Sequence, residues 1–166
     1  MLLSQTFLIS SCRQIYPAGT LLPAESRRPP IVGIYLQFAG DRSIESRFKN
    51  DKGNIFGGYA SIDWTSSNSW KSASDSFIFT LTNIHETEPT KFPNSNSSYS
   101  IDDEYNYGPR FGGGCDISIY KNGSYSNFPH SYQDILGKGK SIFTGDLNNN
   151  NQNFNLKEIE VFKIFK

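Results

Sequence analysis

The sequence predicts a mainly β domain made of many short strands joined by polar loops. Its 166 residues suffice for one domain of ordinary size and are too few for two. Ala and Leu together number 15, whereas Ile, Phe, Tyr, Val and Trp number 42, and residues of the second group prefer the pleated, half-buried surface of a sheet. Ser and Asn add 37 residues, and both favour turns. This composition argues against a helical bundle or a coiled coil.

The front of the chain gives few signals of regular structure. Four of the eight prolines lie between residues 17 and 30, and each proline fixes φ and removes a backbone donor. Residues 1–45 are therefore predicted to be a poorly defined lead, and residues 46–166 to form the domain. At the junction, a short helix is predicted over 41–49, because Ile44 and Phe48 would share one helical face and Glu45 could pair with Lys49.

Three later segments show the alternation of a strand. Residues 76–82 place Phe77, Phe79 and Leu81 on one face and Ile78 on the other. Residues 116–120 alternate in the same way, and the Asn-Gly pair at 122–123 supplies a turn directly after them. Residues 156–165 carry apolar side chains on both faces, so the end of this strand is expected to be covered on both sides.

Charge and cysteine content narrow the classes of partner and compartment. Sixteen basic residues balance sixteen acidic ones, so no net charge attracts nucleic acid. No apolar run approaches the ~18 residues of a transmembrane helix. Two cysteines, Cys12 and Cys115, do not make a disulfide framework, which favours a reducing, cytoplasmic setting. A mitochondrial presequence is the alternative, since Arg13 precedes the first acidic residue, Glu25.

The sequence contains no recognisable catalytic constellation, and no cofactor or metal is predicted. His85 and His130 are the only histidines, and neither has a metal-ligand partner at the required spacing. A nucleophile pair of Cys115 and His130 can be written down, but one thiol and two imidazoles carry little information. The acidic run at residues 102–104 is most simply a solvated charged loop.

Aromatic residues beside glycines are the unusual feature of the chain. They are concentrated in residues 56–59 and 107–114, and glycine in a strand lets a backbone or a large ring approach closely. The structural interpretation is rings packed over glycines in a tight sheet. The functional interpretation is a carbohydrate-binding module in which Trp64, Trp70 and Tyr107 would stack on sugar rings.

These blocks resemble the TLDc domain family over about residues 52–166. Residues 53–59 with Trp64 and residues 75–81 resemble its central hairpin, and residues 107–119 resemble its Tyr-Gly-Pro-x-Phe-Gly signature leading to Asp-Ile. Four shorter blocks come after these in the family's order, at residues 124–125, 131–132, 143–145 and 158–162. The motif positions, mostly structural, are Phe56, Gly57, Gly58, Tyr59, Trp64, Phe77, Phe79, Tyr107, Gly108, Pro109, Phe111, Gly112, Asp116, Glu158 and Glu160.

The resemblance implies an α+β, mainly β fold: two antiparallel sheets packed as a sandwich with a few short flanking helices. It also implies a non-catalytic interaction domain with a role in oxidative-stress resistance, through binding to peripheral subunits of the vacuolar-type proton pump. It transfers no catalytic residue and no partner-binding residue. At the front, the strand that the family places before Gly53 is not evident, so either residues 31–38 replace it or the domain lacks its first strand.

Overall fold

The computed structural model describes residues 11–15, 43–120 and 123–164, and describes only the backbone of residues 11–15, 163 and 164. Within these ranges, one α-helix, α1 (Ser141–Thr144), and one 3₁₀ turn, Ser97–Tyr99, accompany the strands. The strands are β1 (Ser11–Ile15), β2 (Ser43–Asn50), β3 (Ile55–Ala60), β4 (Trp70–Lys71), β5 (Phe77–Thr82), β6 (Thr90–Pro93), β7 (Ile101–Asp102), β8 (Arg110–Phe111), β9 (Ile117–Ser118), β10 (Ser124–Tyr125), β11 (Asn153–Phe154) and β12 (Leu156–Ile164).

In the part of the chain that the structure describes, two six-stranded sheets enclose the core. The first has the order β1-β12-β2-β3-β5-β6 and the second the order β11-β10-β9-β8-β7-β4. Neighbouring strands are antiparallel except β1 and β12, which run parallel at the edge of the first sheet. The predicted two-sheet, mainly β fold with little helix is confirmed.

Aromatic rings from both sheets meet in the interior. Phe56 of β3 lies in the first sheet, and its ring centroid is 5.3 Å from that of Phe154 in the second. Phe143 of α1 is 5.2 Å from Phe56 and 5.1 Å from Phe128, centroid to centroid. Such edge-on and tilted pairs are the preferred arrangement of aromatic rings, so the short helix α1 is held by its buried ring and not by its own length.

The helix predicted over residues 41–49 is wrong, because residues 43–50 form strand β2. β2 lies between β3 and β12 and pairs with both. Ile44 and Phe48 do share a buried face, while Glu45 and Lys49 lie on the other. A spacing of four residues fits a helical turn and also a strand of period two, so the two residue pairs could not distinguish the structures. A strand therefore stands directly before Gly53, where none was evident in the sequence.

The remaining predicted strands are present, and one of them is much shorter than predicted. β12 and β5 match the predicted segments, and Val161 and Phe162 on opposite faces of β12 are both buried, as expected. Residues 116–120 contribute only the two-residue β9, which pairs with β10 beyond the turn. Gly123 adopts a φ of +146° in that turn, and Asn122 lies outside the described residues.

The predicted lead is described only in part. β1 and residues 43–45 belong to it, whereas residues 31–38 and the start of the proposed presequence lie outside the described residues. The domain boundary at 45/46 stays a prediction. Within the described part of the chain, no helix is long and apolar enough to cross a bilayer.

Candidate functional site

The first motif block forms the close contact between strands and rings that its glycines suggested. A Cβ on Gly57 would lie 2.0 Å from the carbonyl oxygen of Ser46, and one on Gly58 would lie 2.5 Å from the ring of Phe111. Phe56, Trp64 and Phe111 belong to the core cluster. This block therefore has a structural role, and it positions the second sheet over the first.

The second motif block is organised by the buried carboxylate of Asp116. Its Oδ1 accepts the backbone N–H of His130 at 2.6 Å, and its Oδ2 accepts that of Ser131 at 2.9 Å. Gly112, at φ +81°, passes so close that an added Cβ would lie 1.9 Å from Asp116 Oδ2. Burial raises the pKa of Asp116, while the N–H groups of residues 130–132 lower it. Asp116 thus joins the loop after β8 to the segment 130–132.

Asp103 plays the same organising role for the loop that follows Trp64. Its carboxylate accepts the backbone N–H groups of Thr65, Ser66 and Ser67 at 2.8–3.0 Å, and Lys71 Nζ lies 2.8 Å away. Burial alone would raise the pKa of Asp103, but Lys71 and the donors on Ser66 and Ser67 outweigh it and lower the pKa to about 2. The loop that follows Trp64 is therefore fixed in place.

Arg110 lies at the centre of the outer face of the second sheet. In the sheet register, Trp70 pairs with Asp102, and Asp102 pairs with Arg110, so the three side chains stand in one row. Arg110 Nη1 lies 2.5 Å from Asp102 Oδ2 and 3.1 Å from Glu104 Oε2. Burial alone would lower the pKa of Arg110, but its contacts with Cys115 and Asp102 raise it.

Aromatic side chains surround this arginine. Its Cζ lies 4.2 Å from the centroid of the Tyr107 ring and 6.0 Å from that of Trp70, and Trp70 makes an edge contact with Tyr99 at 5.9 Å. Trp70 (38%) and Tyr99 (45%) are exposed, and so is Tyr105 (53%), which borders a depression together with Glu104 and Tyr107. The aromatic–acidic face, as it is called below, consists of Trp70, Tyr99, Glu104, Tyr105 and Tyr107 over Arg110.

Two interpretations of the sequence need correction at this face. The acidic run is not a solvated loop, because Asp102 and Asp103 are buried and paired, and only Glu104 is substantially exposed. The three-ring carbohydrate platform is not formed, because Trp64 is 5% exposed and its indole N–H donates to the Asp102 carbonyl at 3.1 Å. Trp70 and Tyr107 remain at the surface, and Gly108 and Pro109 are buried beside them.

The other motif residues lie on the outer face of the first sheet, away from Arg110. Tyr59 and Phe77 stack at 5.0 Å between centroids, and Phe79 packs its ring over Gly57. Glu158 binds Lys49 at 2.9 Å, and Glu160 lies 3.7 Å from Arg47. The fifteen motif residues are thus divided between the core and two opposite faces, and they do not converge on one site.

His85 and Ser141 are residue types that form a base and a nucleophile in many enzymes, but here the serine hydroxyl does not donate its proton to the imidazole. His85 Nε2 lies 2.7 Å from Ser141 Oγ, and Ser141 Oγ donates its only proton to the Lys138 carbonyl at 2.5 Å. The serine must therefore accept from His85, so the imidazole does not remove its proton. Within the described ranges, no group of three or more His, Cys, Asp or Glu is placed to hold a metal ion.

Cys115 and His130 have separate partners. Cys115 Sγ accepts from Arg110 Nη2 at 3.1 Å, and His130 Nδ1 lies 3.3 Å from Ser131 Oγ. The thiol is buried, with 8% of the residue exposed, and is a free cysteine. The arrangement gives the sulfur a packing role under Arg110.

Cys115 is therefore expected to resist thiol reagents in the folded protein. Maleimide labelling near pH 7 should be at least about 100-fold slower than in urea, because reaction requires local opening. Peptide mapping by mass spectrometry distinguishes Cys115 from Cys12, so the labelling rate of Cys115 can be measured separately in the folded and the unfolded protein. Equal rates in the folded and unfolded protein would show an accessible thiol and would reopen the nucleophile hypothesis.

Arg110 was not predicted to be the centre of the face. It occupies the variable position of the Tyr-Gly-Pro-x-Phe-Gly signature, where the motif itself gives no signal. The available signal was that each of two short segments, 101–102 and 110–111, joins one apolar and one charged residue. When the two segments pair as antiparallel strands, Asp102 and Arg110 can stand side by side on one face.

The comparison with known families adds an independent finding. A family model described as TLDc domain matches residues 4–165. The match includes the front of the chain, which the motif resemblance did not cover. No curated protein matches the sequence.

Proposed function

The chain belongs to the TLDc domain family, and from that premise we propose that it is a non-catalytic protein-interaction domain. We propose further that it acts in oxidative-stress resistance by binding peripheral subunits of the vacuolar-type proton pump, in the cytoplasm. The observation that supports an interaction role is the aromatic–acidic face, where three large rings are exposed.

Exposed aromatic rings on a fixed scaffold suit protein binding. Tyr and Trp provide large contact areas and lose little side-chain entropy on binding. Here the scaffold is rigid because Asp103 binds the loop after Trp64 and Arg110 is held between two carboxylates. The energy of a contact at this face would therefore not be spent on ordering loops.

The arrangement of the reactive side chains supports a non-catalytic role. Ser141 donates its proton away from His85, and the Cys115 sulfur lies buried against Arg110. Serine and cysteine side chains can serve as nucleophiles, and here each is engaged in holding a loop or a charged group. A buried free thiol is also what a reducing, cytoplasmic compartment permits.

Pull-down with recombinant peripheral subunits of the vacuolar-type proton pump tests the proposal. The immobilised full-length chain should retain at least one subunit at a stoichiometry that saturates with concentration. A Phe79→Asp variant, with a charge placed in the buried contact over Gly57, serves as the misfolded control. Retention no greater than that of the control would contradict pump binding and leave the family assignment unaffected.

A further inference from the structure

We propose that the aromatic–acidic face is a docking surface for a protein segment that presents an arginine beside an apolar side chain. This inference rests on the proposed interaction function and names the surface and the partner chemistry. The guanidinium would lie across the mouth of the shallow depression that Glu104 and Tyr105 border, and the apolar side chain would cover Trp70 and Tyr99.

The exposed groups at the rim of the depression suit a planar cation. Its lining residues include Trp64, Ser66, Asp103, Glu104, Tyr105 and Tyr107. A guanidinium binds favourably over the face of a Tyr ring, and it pairs with a carboxylate through two parallel hydrogen bonds. Tyr105 and Glu104 are adjacent in sequence and both border the depression, so one arginine side chain can reach both groups.

The molecule already contains one example of this arrangement. Arg110 lies 4.2 Å from the Tyr107 ring centroid and binds the carboxylate of Glu104 at 3.1 Å. A second guanidinium over Tyr105 would use the same carboxylate from its exposed side. Arginine is favoured over lysine here because its planar group stacks on rings and keeps two donors for the carboxylate.

The charge that a partner meets at this face is negative. Arg110 and Lys71 are both directed to buried carboxylates, and their side chains are 10% and 20% exposed. The Glu104 side chain is 39% exposed, so among the described residues that line the depression it carries the accessible charge. Electrostatic complementarity therefore selects a basic segment and disfavours an acidic one.

The apolar part of the segment has a place beside the depression. Trp70 and Tyr99 form an edge-to-face pair at 5.9 Å, and both are exposed. Trp70 pairs with Asp102 across β4 and β7, so it stands in the row that leads to Arg110. An extended segment can therefore place an apolar residue on Trp70 and an arginine over Tyr105.

Titration of the full chain with short capped peptides tests the inference. The probes are Leu-Arg-Leu-Arg-Leu, its Lys counterpart and its Glu counterpart, followed by amide chemical shifts in NMR spectra. The Arg peptide should give saturable shifts in residues 64–71 and 99–110, the Lys peptide weaker ones, and the Glu peptide none. Shifts of the Arg peptide that do not saturate, or that map elsewhere, would overturn the proposal.

Three variants assign the binding to this face. Glu104→Gln should weaken binding of the Arg peptide about 5-fold, and Tyr105→Ala about 10-fold. Leu147→Ala, at an exposed apolar residue elsewhere, is the matched control and should bind like the parent chain. Unchanged affinity in both Glu104→Gln and Tyr105→Ala, with thermal unfolding unaltered, would also overturn it.

The same variants separate this inference from the proposed function. If the pump subunits bind the parent chain and bind Glu104→Gln and Tyr105→Ala equally well, the proposed function stands and the docking surface is wrong. If the Arg peptide binds at the face and no pump subunit binds, the surface stands and the pump is not its partner.

Discussion

Replacing Gly57 by Ala is expected to abolish most of the folded population. The new Cβ would lie 2.0 Å from the Ser46 carbonyl oxygen and 2.7 Å from the Phe79 ring. The carbonyl belongs to β2, which is hydrogen-bonded on both sides, so it cannot move away without breaking the sheet. The free energy of unfolding should fall by at least about 4 kcal/mol, measured by urea denaturation with circular dichroism.

Gly137→Ala is the control for this substitution. Gly137 adopts a φ of +65°, and an added Cβ would meet no atom within 4 Å. Only the cost of placing Ala in a left-handed conformation remains, about 1 kcal/mol. Equal losses in the two variants would show that the close contact over Gly57 does not restrict the sheet.

Replacing Asp103 by Asn is expected to have the second largest effect. The carboxylate accepts from the backbone N–H groups of Thr65 and Ser66 through Oδ1 and from Ser67 and Lys71 through Oδ2. In Asp103→Asn the amide nitrogen would replace Oδ1 or Oδ2, and at either place it would face N–H donors instead of an acceptor. The Lys71 ammonium would also lose the negative charge that it pairs with. The free energy of unfolding at pH 7 should fall by about 3 kcal/mol. Asp51→Asn, at an exposed residue, should change it by less than about 0.5 kcal/mol.

The same carboxylate sets a pH dependence. Its pKa is lowered from 3.8 to about 2 in the folded protein, so the unfolded chain binds its proton first as the pH falls. The stabilisation is therefore complete above pH 4 and is lost between about pH 4 and pH 2, a change of about 2 kcal/mol. Unfolding measured across this window should show a smaller slope in Asp103→Asn than in the parent chain. Identical slopes would contradict the assignment.

The strands that were predicted correctly are the longer ones, whose apolar pattern is typical of a strand over several residues. β5 has alternating side chains over six residues, and β12 is itself the run that carries apolar residues on both faces. β2 was misassigned because its residue pairs are four positions apart, which suits both periods. Its neighbours in the sheet decided the matter: pairing with β3 and β12 satisfies its backbone groups on both sides, which a two-turn helix cannot match.

The candidate site was predictable in its ingredients and not in its arrangement. Tyr107 and the acidic residues 102–104 were noted, but a loop rich in charge is usually solvated, so their burial was not expected. Burial followed from long-range partners: Arg110 for Asp102 and Lys71 for Asp103. A carboxylate enters a protein interior only when such partners accompany it, and the partners of these two were recognisable only once strands β4, β7 and β8 were paired.

The sequence by itself determined the fold class and, through the ordered Gly and aromatic motifs, the family. These follow from local chemistry, because side-chain period, turn residues and glycine spacing act over a few positions. The tertiary structure alone decided that β2 is a strand, that Trp64 is buried and that Arg110 joins Trp70, Glu104 and Tyr107 into one face. The reason is physical: each of these outcomes depends on sheet register and on the desolvation of a charge or ring by residues distant in the chain.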